Sequence, residues 1–423
     1  MSNSFSKEER VAFEDILEGF QDLLVLSRHV NVYNTDQTMM ARTNDTIWRP
    51  MPYIAQSINS TPGTAIPGYQ NMTQLSVPST IGFSKTVPWT MTTLDLRDAL
   101  QEGRLGDSAK QKLASDINVA IMNTAAAQGT LVVPVAAAAG DYDDVALCDS
   151  IMNEQGVPDY DRFLGLSSRD YNGLAGNLSQ ASRSFGNTKS DKAYERNYVG
   201  MVAGFDTYKF DYANRIAVAG GGATLIDTQA AANNYYVPQA TSTSVGGQIN
   251  VDNRYQTITV DNSVGVVAGD AFTIDGVVAV HHITKQSTGQ LKTFRVISVP
   301  AGGTTLVISP PIISNQGGSD AEAQYKNVTV TPAAAAPFNW LNTGASNINV
   351  FWQKDSLEIL PGRYAVPSDA GTAVMRATTD QGVELVMQKF YDIDSMTIKY
   401  RLDTLFGVVN KQPEMSGILL FNQ

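Results

Sequence analysis

Residues 107–129 read DSAKQKLASDINVAIMNTAAAQG, and this stretch carries the clearest helix pattern in the chain. Gly106 and Gly129 flank it, and no glycine or proline interrupts it. Ser108 and Gln111 have the spacing of a capping box, in which each side chain satisfies a free amide of the first turn. At ~1.5 Å per residue, a helix that starts at Ser108 and ends before Gly129 is roughly 30 Å long. We therefore predict a long spine helix against which sheets pack.

The spine helix has one apolar stripe, because small and aliphatic residues recur on it at helical spacing. The stripe consists of Leu113, Ile117, Ala120, Ile121 and Ala125. We predict Leu113, Ile117 and Ile121 as its core contacts.

The composition of the chain excludes several classes of protein. The 423 residues are 43% hydrophobic, which is enough for a core and, at roughly 100 to 200 residues per domain, for two to four domains. The formal charge of −11 argues against tight nucleic-acid binding through a basic face. Cys148 is the single cysteine, so no intramolecular disulfide forms, and we expect it to be a packed residue of a helix. We find neither a signal peptide pattern nor an apolar run of about 18 residues, so no membrane is expected.

The first 42 residues are interpreted as an N-terminal arm. Ser6 and Glu9 fit a second capping box, and an acidic amphipathic helix is predicted to run to about Arg28. Its apolar side must be buried either on its own domain or on a neighbouring subunit, and both alternatives remain open. The candidate interface residues of this arm are Ile16, Phe20, Leu23 and Leu24.

Residues 43–90 are predicted to form a long extended excursion. Its prolines forbid a long helix, and the alternation around Leu75, Val77 and Ile81 suits edge strands. The segment is too apolar for a solvated linker, so its side chains need cover from another chain or from their own domain. The candidate anchors are Trp48, Tyr53, Ile54, Ile58, Ile66 and Tyr69.

Three residue groups have some features of a ligand site but lack the spacing or geometry that such a site requires. Asp141, Asp143 and Asp144 lack the glycine and glutamate of a calcium loop, so they are interpreted as the N-cap of a helix ending near Gln155. The glycines at 220–222 lack dinucleotide-binding spacing and are interpreted as a flexible joint. The adjacent His281 and His282 would point to opposite faces of a strand. We predict no catalytic residue, no metal site and no cofactor, and therefore no enzyme.

Residues 223–331 contain short β-branched runs separated by turns, which is typical of a small sandwich or barrel. Asp275 and Gly276 lie between two such runs and predict a tight hairpin. The segment is interpreted as a domain inserted into the first, with long strands following it between 347 and 421. The fold class is therefore α+β.

Five separated segments carry a family resemblance. They are TNDTIWRPMP (43–52), LRDALQEGRLGDSAKQKLASDINVAIMNTAAAQGTLVV (96–133), INVDNRYQTITV (249–260), NVFWQKDSLEIL (349–360) and YRLDTLFGVVNKQPE (400–414). In this order they resemble the major coat proteins of short-tailed bacteriophages that infect enteric bacteria.

The resemblance implies the Hong Kong 97 type capsid fold with an inserted immunoglobulin-like domain, the I-domain. The implied parts are an N-arm (1–42), an E-loop (43–90), a peripheral domain with the spine helix (91–139), an axial domain (140–222 and 332–390), the I-domain (223–331) and C-terminal strands that return to the peripheral domain (391–423).

The resemblance also implies a function. Copies would form pentamers and hexamers of an icosahedral shell around double-stranded phage DNA, which is enclosed without sequence-specific binding. A precursor shell would assemble in the host cytoplasm with a scaffolding protein, would fill through a portal protein and would then expand into the virion capsid. Because the arm before Thr43 is short, the scaffold is expected to be a separate protein.

Two departures from relatives affect the expected contacts. Residues 43–84 contain no lysine, so the E-loop crosslinks of some capsids of this fold are not expected. Residues 239–248, QATSTSVGGQ, lack the charges that relatives carry in the corresponding loop between capsomers. The rival hypotheses are a virion surface or adhesion protein and a cellular nanocompartment shell.

Overall fold

The computed structural model describes residues 7–33, 46–52, 54–55, 57, 61–65, 68–92, 99–181, 188–210, 214–228, 234–364, 373–379 and 381–423. The α-helices are α1 (Lys7–Leu23), α2 (Ala99–Gln128), α3 (Tyr142–Gln155), α4 (Ser168–Ala181), α5 (Thr188–Arg196) and α6 (Asp320–Tyr325). The strands are β1 (Asn31–Val32), β2 (Thr46–Pro50), β3 (Ser76–Thr80), β4 (Phe83–Thr92), β5 (Leu131–Pro134), β6 (Arg162–Ser167), β7 (Met201–Val202), β8 (Phe205–Phe210), β9 (Arg215–Ile216), β10 (Thr241–Ser244), β11 (Gly247–Asn250), β12 (Gln256–Thr259), β13 (Ala271–Val280), β14 (Ser287–Ser298), β15 (Thr305–Ser309), β16 (Phe338–Trp340), β17 (Ser346–Asn347), β18 (Asn349–Gln353), β19 (Leu357–Pro361), β20 (Ala373–Thr378), β21 (Glu384–Asp392), β22 (Thr397–Asn410) and β23 (Ser416–Leu420).

The chain divides into two compact units, which we describe separately. The first unit consists of residues 1–47, 79–124 and 357–409, and the second consists of residues 48–78, 125–356 and 410–423.

The first unit is built on a sheet with the strand order β1-β19-β22-β21-β20, and β4 also pairs with β22. The long β22 is antiparallel to both β21 and β4, and Trp89 of β4 stacks on Tyr400 of β22. Leu113, Ile117 and Ile121 of α2 are fully buried. An amphipathic helix and one face of a sheet thus provide the core of this unit.

The spine helix differs from its prediction at the start. Helix α2 includes Ala99 and everything up to Gln128, so Ser108 lies inside the helix and the predicted capping box is wrong. Gly106 is a helical residue in close contact with α1, since a Cβ atom there would be 2.7 Å from Cδ1 of Ile16. The glycine allows close packing of two helices, so its predicted role as a helix boundary is wrong. The predicted cap of α1 at Ser6 lies outside the described residues.

The second unit contains a sheet with the order β5-β23-β18-β6-β8-β7. Strands β6, β18 and β23 are buried along their whole length, as expected for strands that are covered on both faces. Helix α3 covers one face through Val145, Cys148 and Met152, which share a cluster with residues of β6 and β18. Cys148 is fully buried in this cluster.

The inserted domain, also in the second unit, has its own five-stranded sheet with the order β12-β15-β14-β13-β16. Phe338 of β16 stacks on Phe272 of β13 with ring centroids 4.4 Å apart. The amide of Ala219 donates to the carbonyl of Asn342 (2.9 Å) where the two connecting segments meet. The domain therefore extends to 219–342, beyond the predicted 223–331, because β16 completes its sheet.

The predicted hairpin at Asp275 and Gly276 is wrong. Strand β13 runs through both residues, and its register against β14 shifts between Thr273 and Val278. Gly276 has φ +76°, so the glycine serves a bulge rather than a turn. A glycine with positive φ serves a bulge here and a type I′ turn in a hairpin, and the local sequence does not distinguish the two.

Gly220 and Gly221 are packed closely and do not form the predicted joint, while Gly222, with φ +54°, has open space around it. A Cβ atom on Gly220 would be 2.6 Å from the carbonyl oxygen of Gly265, and one on Gly221 would overlap the ring of Trp340. The absence of a side chain at these two positions lets the backbone approach Gly265 and the ring of Trp340 closely.

The observed strand pairing places several C-terminal strands in a different domain from the predicted one. Strands β19, β20 and β21 belong to the first unit's sheet with β22, although they had been assigned with residues 332–390 to the axial domain. Strand β23 pairs with β18 and β5 in the second unit, although it had been assigned to the peripheral domain. The sequence of an apolar strand does not show which other strands it pairs with, so strands of similar length and composition cannot be assigned to one sheet or the other from sequence.

Candidate assembly surfaces

The extended arm, residues 48–78 of the second unit, has a fixed root. The amide of Met51 donates to the carbonyl of Leu75 (2.8 Å), which ties the outgoing and returning chain together. Leu75 is buried in a small cluster with Ile313 and Tyr325 of the inserted domain, and Ile54 packs beside them. This apolar burial holds the root against the inserted domain.

Helix α6 provides a second attachment for the returning half of the arm. The amide of Asn71 donates to Asp320 (3.1 Å), and the amide of Thr73 donates to Gln324 (3.0 Å). The Tyr325 hydroxyl donates to the carbonyl of Thr73 (2.8 Å). Because these bonds use the arm's backbone, they hold it largely independently of its side chains.

The described residues of the arm's tip, 61–65 and 68–70, are all exposed. Tyr69 is 92% exposed and Met72 is 56% exposed. Aromatic residues and methionine are enriched in protein interfaces relative to the rest of the surface. The tip is therefore the part of the arm that is available to another chain.

The predicted arm anchors divide into three groups. Tyr69 is exposed, as an intermolecular contact requires. Trp48 and Ile54 are half-buried on their own chain, Trp48 beside Ala240 and Thr241 and Ile54 in the root cluster. The remaining three, Tyr53, Ile58 and Ile66, lie outside the described residues.

The predicted N-arm contacts are mostly covered by their own chain. Ile16 is 7% exposed, and Phe20 and Leu24 are fully buried within the first unit. Lys389 of β21 forms an ion pair with Glu9 of α1 and fixes the helix further. Of the four residues, only Leu23 is substantially exposed, at 38%. Within the described residues of the N-arm, helix α1 thus buries most of its apolar side within the first unit of its own chain, as in the first of the two alternatives.

The uncharged loop at 239–248 forms most of a hairpin of β10 and β11. All residues of β11 are exposed, and Val245 at the turn is fully exposed. The hairpin offers backbone and hydroxyl groups for hydrogen bonds, but it contains no charged side chain.

A buried ion cluster lies within the second unit, where the inserted domain meets the 3₁₀ segment Pro413–Met415. Lys292 of β14 is 1% exposed and lies 2.6 Å from Oε1 of Glu414. His282 Nε2 is 3.2 Å from Oε2 of the same carboxylate, and Asn327 donates to Oε1 (3.2 Å). Lys292 also donates to Gln155 at the end of α3 (2.7 Å). Sequence reasoning missed this cluster because its members are far apart in the chain.

Arg295, also on β14, binds the C-terminal end of the spine helix. Its guanidinium donates to the carbonyls of Ala126 (3.1 Å), Gly129 (3.3 Å) and Gly269 (3.0 Å). Burial lowers the pKa of Arg295 to about 10, and Asp270 acts in the opposite direction. A cation at a helix C-terminus satisfies free carbonyls and interacts favourably with the helix dipole.

The described residues show little that resembles a reactive centre. Burial, followed by the charges of Asp144 and Asp149, raises the pKa of Cys148 and keeps it a thiol. Within the described ranges, no group of His, Cys, Asp and Glu is arranged to hold a metal ion. The carboxylate of Asp144 accepts from the amide of Asp141 (3.2 Å), which is a capping contact. No described helix is long and apolar enough to cross a membrane.

Comparison with known proteins gives a family for this chain. A family model described as "P22 coat protein - gene protein 5" matches residues 1–422. The structure is similar to that of the Mycobacterium phage Che8, with 9% identity, coverage of 94% of this chain and 91% of the other, and a TM-score of 0.47. It is also similar to the capsid structure of cyanophage P-SCSP1u, with 11% identity, coverage of 93% and 86%, and a TM-score of 0.45.

A third similarity concerns part of the chain. The CUS-3 coat protein I-domain is 39% identical, over 28% of this chain and 94% of that domain, with a TM-score of 0.22. The resemblance inferred from the sequence is confirmed, as is the Hong Kong 97 type capsid fold with an inserted domain. Because the family model leaves out only the last residue, the chain belongs to the P22 coat protein family and is a major capsid protein of a tailed bacteriophage.

Proposed function

We propose that copies of this chain form pentamers and hexamers, which close into an icosahedral shell around double-stranded phage DNA. The observation that carries this proposal is the arm with a fixed root and an exposed tip. Root contacts at Leu75 and Thr73 hold the direction of the arm, while Tyr69 and Met72 remain accessible to a neighbour. An arm of this kind can reach a second copy without refolding the body of the subunit.

Repetition explains how modest contacts can sustain a shell. Burial of apolar side chains such as Tyr69 contributes about 25 cal/mol per Å² of area removed from water, less the entropy of ordering the tip. Closed symmetry repeats each contact in every subunit, so an individual interface can be weak. The function is then a set of interfaces rather than a reaction.

Partners follow from the same proposal. A separate scaffolding protein guides a precursor shell in the host cytoplasm, and DNA enters through a portal protein. The formal charge of −11 supports enclosure of the DNA without tight binding through a basic face, since an acidic chain offers few cations to phosphates.

We expect the shell to be held together without covalent crosslinks. Residues 43–84 contain no lysine, which removes the side chain that would form an amide crosslink from this part of the chain. Denaturing gel electrophoresis of mature particles should therefore give a single band at the size of one subunit. A ladder of higher bands would contradict this expectation.

The tip of the arm provides the direct test of the proposal. Replacement of residues 61–70 with a glycine-serine linker of equal length should leave soluble subunits that do not close shells, because Tyr69 is lost while the backbone contacts of Asn71 and Thr73 persist. Assembly is measured by sedimentation and negative-stain electron microscopy, and folding by thermal unfolding.

The matched control removes two exposed apolar residues elsewhere. Val264 is 72% exposed and Ile393 is 80% exposed, and the V264S/I393S double variant should assemble normally. Closed shells of ordinary size from the arm variant, at unchanged subunit stability, would defeat the proposal.

A further inference from the structure

A cavity of about 210 Å³ lies within the second unit, at the junction of three segments. The root of the extended arm contributes Met51, Ile54 and Leu75 to its wall. The inserted domain contributes Ile313 and Tyr325, and the segment after β22 contributes Met415. A molecule in this cavity would touch all three segments at once.

The charged groups at the edge of the cavity already have partners within the protein. Arg254 donates to both carboxylate oxygens of Asp252 (2.9 and 2.7 Å) and to the carbonyl of Asn410 (2.8 Å). Glu414 is paired with Lys292 and His282. A charged ligand would have to break one of these pairs after losing its own hydration, which is unfavourable in a largely apolar site.

We propose that this cavity binds a small uncharged aromatic molecule, of the size of one ring with a short substituent. A cavity of ~150 Å³ lined by Leu, Ile and Phe accepts benzene, so the larger volume here fits a substituted ring. The wall presents methionine sulfur atoms and aliphatic side chains, and both make favourable contacts with an aromatic ring. The ligand is expected to be uncharged because the charged groups at the edge of the cavity are already paired.

Occupancy has a consequence for assembly that rests on the proposed function. The ligand would bridge the root of the arm and the inserted domain, and so would restrict the direction in which the tip projects. Binding to the folded subunit also raises its stability by mass action.

The test uses the purified, unassembled full-length subunit and three probes that share one ring: benzyl alcohol, benzoate and benzylammonium. Benzyl alcohol should bind with a dissociation constant of roughly 1 mM or tighter, a modest affinity for a ligand of its size. At ~10 times that constant it should raise Tm by about 2 °C. The two charged probes should bind at least about tenfold more weakly.

Variants that fill the cavity test whether benzyl alcohol binds there. Ile313→Phe fills the wall from the inserted domain and Ile54→Phe fills it from the half-buried arm, so at least one should fold normally by circular dichroism. A folded filling variant should lose the response to benzyl alcohol, whereas Val264→Phe, at an exposed position, should keep it.

Three results would overturn the proposal, and the first two are equal responses from wild type and a folded filling variant, and binding of a charged probe as tight as that of benzyl alcohol. A wild-type subunit that does not respond to saturating benzyl alcohol would do so as well. Because binding is measured before assembly, a negative result here leaves the shell assignment intact, and subunits that fail to assemble can still be tested.

Discussion

Glu414→Ala should lower the free energy of unfolding of the subunit by about 3 kcal/mol, since it leaves a buried cation without its carboxylate. Lys292 is 1% exposed and would retain only its bond to Gln155. His282 and Asn327 would lose the same acceptor. The cluster joins the inserted domain to the segment Pro413–Met415, so its loss should weaken the second unit.

Guanidinium unfolding followed by fluorescence measures this effect. Glu414→Gln should lie between wild type and alanine, because an amide still accepts from Lys292 but carries no charge. Lys112→Ala removes an exposed i,i+4 pair with Asp116 and should change stability by less than about 0.5 kcal/mol. A loss at position 414 no larger than that of this control would show that the cluster contributes little.

The pH dependence of this difference has a defined sign. Burial acts to raise the pKa of Glu414, but the charges of His282 and Lys292 outweigh it, so the pKa is lowered from 4.5. A carboxyl group with a lowered folded pKa stabilises the native state above its ordinary pKa and loses that contribution as the pH falls. The difference between wild type and Glu414→Ala should therefore shrink below about pH 4.5.

Arg295→Met should lower the free energy of unfolding by about 3 kcal/mol, because three carbonyls, two of them buried, lose their donor. Two of these carbonyls, on Ala126 and Gly129, lie at the end of the spine helix. Asp270, which is 1% exposed, would also lose a nearby cation. The C-terminal turn of α2 should open more often as a result.

Amide hydrogen exchange locates this effect in the chain. In Arg295→Met the amides of Gly129 and Thr130 should exchange faster, while those of the first turns of α3 should not change. Arg295→Lys should be milder because it keeps the charge but loses the fork of donors. Arg169→Met, at an exposed position of α4, is the control. Unchanged exchange at 129–130 together with wild-type stability would refute the capping role.

The sequence predicted the structure correctly where apolar residues recur at the spacing of a helix or a strand. The helical spacing of Leu113, Ile117 and Ile121 identified the buried face of α2, and alternating β-branched runs identified the inserted domain. Glycine was ambiguous, because Gly106, Gly221 and Gly276 serve close packing or a bulge instead of the boundary, joint and turn that local patterns suggested. A glycine in the sequence shows that the backbone can adopt unusual conformations or approach a neighbour closely. It does not show which tertiary contact makes use of this freedom.

Contacts between distant segments could not be predicted. Glu414 meets Lys292, and Arg295 meets Ala126, across more than a hundred residues, and no spacing rule connects them. The attachment of the arm to α6 is missed for the same reason, since its bonds to Asp320 and Gln324 come from a backbone that any sequence supplies. The candidate surface is predicted from its apolar composition, whereas its fixed root depends on contacts that appear only in the folded structure.

Imaging the particles that the chain forms tests the proposed shell function most directly. The wild-type chain is expressed with a candidate scaffolding protein, and the product is purified by sedimentation and examined by cryo-electron microscopy. We expect closed icosahedral shells whose pentamers and hexamers have the arm tip of one subunit, with Tyr69, buried against the next. Subunits that stay single under every assembly condition, with the arm tip folded onto their own body, would contradict it.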